Sequence, residues 1–220
     1  IEEILDRGTV EIINDQVNAG IDIPSDGEIR RENYIHYHCR HIQGIDFENL
    51  SRKVSRQGAW VANLPTVTGA LQAGDPFLPR DYRIAQAATG RPVKITVPGP
   101  MTITDSIADT YYKDDNRLGA ALAAALNTEV LALVEAGCTW IQIDEPVFAR
   151  QPEKALAYGF DNLERAFQDV PDHVTRAVHM CCGYPDALDQ EDFQKANQQA
   201  YFQLADAIEA SSIQAISLED

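Results

Sequence analysis

Basic residues are scarce: 18 lysines and arginines stand against 34 aspartates and glutamates, leaving a formal net charge of −16. A surface of that sign repels phosphate backbones and anionic headgroups, so neither nucleic acid nor a membrane is an expected partner. The acids are spread along helical segments rather than gathered in a tail, which reads as a solvated face. Cysteine is sparse too, at Cys39, Cys138, Cys181 and Cys182, and nothing else suggests a disulfide-stapled secreted scaffold, so reduced thiols are expected. No run of about 18 or more apolar residues occurs, and no basic segment followed by a short apolar stretch marks an export signal. A soluble cytoplasmic protein is the expectation. Absent as well are a short repeat, a low-complexity linker and a G-x-G-x-x-G turn after any apolar run, which argues against a dinucleotide-binding doubly wound sheet.

What is present is a rhythm. "IEEILDRGTVEIINDQVNAG" spaces Ile1, Leu5, Ile12, Ile13 and Val17 like a helix that stops at Gly20. "IDIPSDGE" alternates like a strand running into a loop, and "RENYIHYHCRHI" can form a helix. Residues 44–71 are rich in Val, Thr and aromatics, with "RQG" as a turn signal, and predict an inserted antiparallel hairpin. Then come the helix "PRDYRIAQAATG", the strand "RPVKITVPGP" and an Ala- and Leu-rich helix ending at Gly137. They are followed by the strand "CTWIQIDEP", a helix around "EKALAYGFDNLERAFQDV", the strand "TRAVHMCCG", the helix "QEDFQKANQQAYFQLADAIEAS" and the strand "IQAISLED". Such alternation predicts an α/β fold of parallel strands with helical crossovers, and the polar C-terminal strand tips favour a (β/α)8 TIM barrel. Five barrel-type strands are counted, so residues 1–220 read as a single domain that is a section of a larger barrel.

Chemistry gathers at the strand tips. Side chains two apart on a strand face the same way, so His179 and Cys181 project together and form half of a metal site, imidazole nitrogen and thiolate sulfur both being zinc ligands. A buried polar core is the alternative. Glu219, at the tip of the next strand, is within reach of the same ion if the strands are neighbours, or is a solvated acid if they are not. Adjacent Cys181 and Cys182 diverge and are poor disulfide partners. Gln142 and Asp144 share a face in "WIQIDEP", and "SDGE" presents Asp26 and Glu28 beside a glycine. Two acids on separate tips can hold a cation such as an amino-acid ammonium, or each can serve as a helix cap or ion-pair partner. Cys39 and Cys138 read as buried structural thiols.

"DGEIRR", "VPGPMTI", "IQIDEP", "VHMCCG" and "AISLED", in this order at successive strand ends, resemble the catalytic barrel of the cobalamin-independent methionine synthase family. The resemblance implies a zinc-dependent methyltransferase that moves a methyl group from a methylated folate to the thiol of homocysteine. It implies His179, Cys181 and Glu219 as zinc ligands, with a fourth ligand beyond residue 220, and Glu28 and Asp144 as the grip on the homocysteine amino group. The "GPMT" segment, Gly99 to Thr102, resembles a pocket-lining loop of the family and reads equally as a tight turn. Relatives acting on another thiol such as coenzyme M, a metal-free porphyrinogen decarboxylase branch and a non-catalytic zinc-binding paralogue are the rival readings. The H-x-C pair argues against the metal-free branch, and the two acids favour an amino-acid thiol.

Overall fold

A computed structural model of the chain describes residues 1–55, 60–182 and 195–218. The expected "RQG" turn at Arg56–Gly58 lies outside these residues, as do Glu219 and Asp220. Helix α1 (Glu2–Asn18) buries Thr9 and Ile13 and is followed by Gly20 at φ 92°. Asn33 starts α2 (Tyr34–Cys39), its side-chain oxygen accepting the Ile35 and His36 N–H groups that the first turn leaves unpaired. Strands β1 (Ile42–Ser55) and β2 (Trp60–Ala73) pair antiparallel with two register shifts, and the short β4 (Ala108–Asp109) adds to β2 in parallel.

The second sheet carries the candidate site. Its strands are β3 (Lys94–Pro98), β5 (Trp140–Asp144), β6 (Thr175–Met180) and β7 (Ala215–Leu218), all parallel and in that spatial order. Between β3 and β5 run α4 (Pro100–Ser106) and α5 (Asp115–Glu135); between β5 and β6 run α6 (Pro146–Arg150), α7 (Pro152–Lys154), a π-helical turn (Ala155–Gly159) and α8 (Phe160–Ala166). Helix α9 (Gln199–Ala210) precedes β7, and α3 (Leu78–Ala87) precedes β3. The register sets Pro98, Asp144, His179 and Ser217 at one level across the sheet. Ile95, Val97, Ile141, Ile143, Val178 and Met180 join one buried cluster with Leu118, Leu122, Leu133, Leu163 and Leu204 of the helices. Each fully buried side chain of this kind contributes about 1.5–3 kcal/mol. The opposite strand face, at Lys94, Thr96, Gln142, Asp144 and His179, is polar.

Three expectations change. Residues 21–28 make only one parallel bridge, Ser25 to Lys94, instead of a strand. Pro24 has no N–H to give, and Gly27 and Glu28 take positive φ of 67° and 54°, which ends any ladder. Among the described residues the sheet is therefore open and four-stranded, not a closed barrel. "GPMT" is the first turn of α4, with Pro100 at its first position, instead of a free tight turn. Helix α5 is long and apolar enough to cross a membrane, yet half of its apolar window is buried, against α4, α8 and β2.

Candidate active site

Asp144 ends β5 and is buried, with Gln142 Nε2 donating to its Oδ1 at 2.7 Å. The Gln142 amide is in turn fixed by Lys94 Nζ, which donates to its oxygen at 2.6 Å. Burial lifts the Asp144 carboxyl to about 6, with the Gln142 hydrogen bond pulling down and the negative charge of Glu28 pushing further up. Glu28 and Asp144 therefore share one electrostatic field. Glu28 sits at the loop turn after the Ser25 bridge, where Gly27 is obligatory: a Cβ there would lie 2.8 Å from the Ile12 side chain. Glu28 Oε1 accepts from Thr96 Oγ1 at 2.6 Å and from Arg31 Nη1 at 3.1 Å. Asp26 is an ion-pair partner of Arg31, with Oδ2 3.5 Å from Nη2.

His179 lies directly beside Asp144 in the register, and its Nδ1 is 3.0 Å from Ser217 Oγ on β7. Cys181 follows immediately after β6 and is buried, while the next residue, Cys182, meets the Tyr201 hydroxyl at 3.3 Å. Glu219 lies outside the described residues, so the structure brings together Glu28, Asp144 and His179, with Cys181 next to the last, and says nothing of the fifth. Among the described residues no group of three His, Cys, Asp or Glu side chains is arranged to hold a metal. The donors that are described fit one half of such a site: a histidine that binds a metal through one nitrogen is commonly oriented by a hydrogen bond at the other, and Ser217 supplies that bond at Nδ1.

Several neighbours were not singled out from sequence. Glu145, next to Asp144, is fully buried; its carboxylate accepts the Met101 and Thr102 N–H groups, both at 2.9 Å, and the Thr102 hydroxyl at 2.7 Å. Its own N–H donates to the His179 carbonyl at 2.8 Å, so one residue ties the first turn of α4, just past β3, to the tips of β5 and β6. Burial lifts its carboxyl to about 8. Tyr34, in α2, has its phenol pushed above the ordinary range by burial and then by the negative charge of Asp144, so it lies in the field of the same tips. Thr96 and Lys94 carry the one sequence signal that was available: polar residues alternating in a strand otherwise made of Ile, Val and Pro.

Residues 2–181 match the family model described as "Cobalamin-independent synthase, Catalytic domain". The chain is 29% identical over 184 residues to a methionine synthase of Sulfolobus acidocaldarius, covering 83% of this chain and 52% of that one. It is also 29% identical, over the same length, to a methionine synthase of Saccharolobus solfataricus, covering 54% of the relative. The chain thus spans about half the length of the curated relatives it matches. Among solved structures, a B12-independent methionine synthase from Shewanella sp. W3-18-1, in complex with selenomethionine, superposes with a TM-score of 0.86 at 31% identity, over 98% of this chain and 63% of that one.

Proposed function

The chain belongs to the cobalamin-independent synthase catalytic-domain family, and on that premise we propose that the natural protein, acting in the cytoplasm, transfers a methyl group from a methylated folate to the thiol of homocysteine, forming methionine. The four parallel strands are an arc of a (β/α)8 barrel whose tips line the site. Glu28 and Asp144 hold the homocysteine ammonium, and His179, Cys181 and Glu219 hold a zinc ion. The observation that supports this reading is the register level shared by Asp144, one of the two expected amine-binding acids, and His179, one of the expected metal ligands, on neighbouring strands.

A bound zinc supplies Lewis acidity that brings a thiol, ordinarily near pKa 8.5, into its nucleophilic form at neutral pH. The chain's own residues supply orientation. Ser217 fixes the His179 ring, Lys94 and Gln142 present Asp144 as an acceptor, and the Glu145 bonds hold the first turn of α4 and the tips of β5 and β6 at fixed spacing. An amine anchored between two acids leaves the far end of a short amino-acid thiol aimed at His179 and Cys181, so that binding fixes the nucleophile's direction before reaction. The retained acids are also what favours an amino-acid thiol over a thiol without an amine.

The test is metal analysis and methyl transfer in the natural full-length protein. Near one equivalent of zinc is expected for wild type, with a large loss in His179→Ala and Cys181→Ser; zinc unchanged in both would overturn the ligand assignment. Product formation from homocysteine and methylfolate, and not from coenzyme M, is the matching result for substrate.

A further inference from the structure

Glu28 is held in a way its role as a surface acid does not require. Its backbone has φ 54°, a left-handed conformation that a side chain with Cβ enters only at some energetic cost. The turn is pinned on both sides: the Glu28 N–H donates to Asp26 Oδ1 at 3.2 Å, and the Glu28 carbonyl accepts the Arg31 N–H at 2.9 Å. The consequence is to swing the carboxylate toward β3. There Arg31, whose side chain is 1% exposed, donates from Nη1 both to Thr96 Oγ1 at 3.0 Å and to Glu28 Oε1 at 3.1 Å. The Thr96 hydroxyl donates onward to the same Oε1 at 2.6 Å. Arginine, threonine and glutamate therefore close a ring of three hydrogen bonds around one oxygen.

That arrangement is asymmetric. Both donors are spent on Oε1, and among the described residues none donates to Oε2, although the Glu28 side chain is 34% exposed and sits in the field of Asp144. The groups are unevenly matched as well: the three carboxyls of Asp26, Glu28 and Asp144 face the two cations Arg31 and Lys94. One further cation would balance the group, and an oxygen is held ready for it.

We propose that Arg31 and Thr96 are positioning residues that lock one oxygen of Glu28 and so present the other, together with Asp144, to the ammonium of an amino-acid thiol. The clamp rests on the amino-thiol reading above and deepens it: it sets the preference for a substrate with an amine over the same thiol without one. Threonine at 96 gives the hydroxyl at fixed reach from a strand, and Arg31 needs its fork, because a single ammonium cannot serve Thr96, Glu28 and Asp26 with the same geometry.

The experiment compares homocysteine with its deamino analogue, 4-sulfanylbutanoate, as methyl acceptors of the natural full-length protein. Wild type, Thr96→Val, Thr96→Ser and Arg31→Lys are assayed at saturating methylfolate. Thr96→Val is expected to raise KM for homocysteine about tenfold, the size of one lost hydrogen bond to a charged group, with kcat within about twofold. It leaves the deamino thiol and the KM for methylfolate unchanged, Thr96→Ser restores wild-type behaviour, and Arg31→Lys loses the same discrimination. An equal loss on both thiols, or no loss on either, in Thr96→Val would overturn the clamp while the substrate reading stands. A wild type that shows no preference for homocysteine over the deamino thiol would overturn that reading and the clamp with it.

Discussion

At the scale of single residues, two side chains set what the tips of the sheet can tolerate. Glu145 fills the space above Gly99 so completely that a Cβ at 99 would stand 2.1 Å from its carboxyl carbon. Gly99→Ala must therefore displace the carboxylate that binds Met101 and Thr102, and a destabilisation of about 3 kcal/mol is expected by urea titration, the upper end for overpacking. Asp144 is the other. With its carboxyl near 6, it is ionised at neutral pH and loses that charge as pH falls through about 6. KM for homocysteine should rise over that window and the rise should vanish in Asp144→Asn, whose kcat/KM is expected to be about tenfold to a hundredfold lower at pH 7.5. Steady-state assays from pH 5 to 8 would show it, and a wild-type KM flat across pH 6 would remove Asp144 from the binding step.

At the scale of elements, the start of α3 depends on a residue 51 positions downstream. Its Phe77 and Leu78 N–H groups are accepted by Glu129 Oε1 of α5 at 3.0 and 2.7 Å. Glu129→Ala leaves both without a partner and is expected to cost about 1–2 kcal/mol, in the range of a lost helix cap, measured as a drop in thermal midpoint. This contact shows where the sequence could be read and where it could not. The helix itself was legible from Pro79 near its start and Gly90 after its end, because those are local preferences. A cap supplied from 51 residues downstream leaves no local trace. The same division runs through the site. Asp144, His179 and Cys181 stand out by alternation on strands whose other face is Ile, Val and Met, whereas Arg31 and Glu145 act through tertiary contacts that only folding creates. The strand expected to run into the loop at residues 21–28 failed for a related reason: its apolar alternation is real, but Pro24 and the positive φ at 27 and 28 leave it one bridge and the loop.

At the scale of the whole molecule, the buried carboxyls and three histidines, of which His38 is buried, pull stability in opposite directions. Glu129 near 7, Glu145 near 8 and Asp144 near 6 all lie above their unfolded values of 4.5, 4.5 and 3.8. Between about pH 8 and the mid-6 range the folded state binds more protons than the unfolded chain, so stability rises as pH falls. His36, His38 and His41 are all held below their ordinary value of 6.5, chiefly by burial, so below that value the unfolded chain takes up their protons first, which opposes the gain from the acids. A thermal midpoint that rises as pH falls from about 8 to about 6 is the expected profile. A midpoint climbing steadily from pH 6 to 8 would mean that these acids are not buried as described.

The link from Lys94 through Gln142 to Asp144 has a direction built into it. An ammonium can only give protons, so it claims the oxygen of the Gln142 amide and forces the nitrogen end toward Asp144. Exchange the lysine for glutamate and the amide has reason to turn round, setting its oxygen against the carboxyl, which is then comfortable only when protonated. One side chain, several ångströms back from the tips and touching no ligand, thus decides whether the mouth of this sheet welcomes a positive guest or a neutral one.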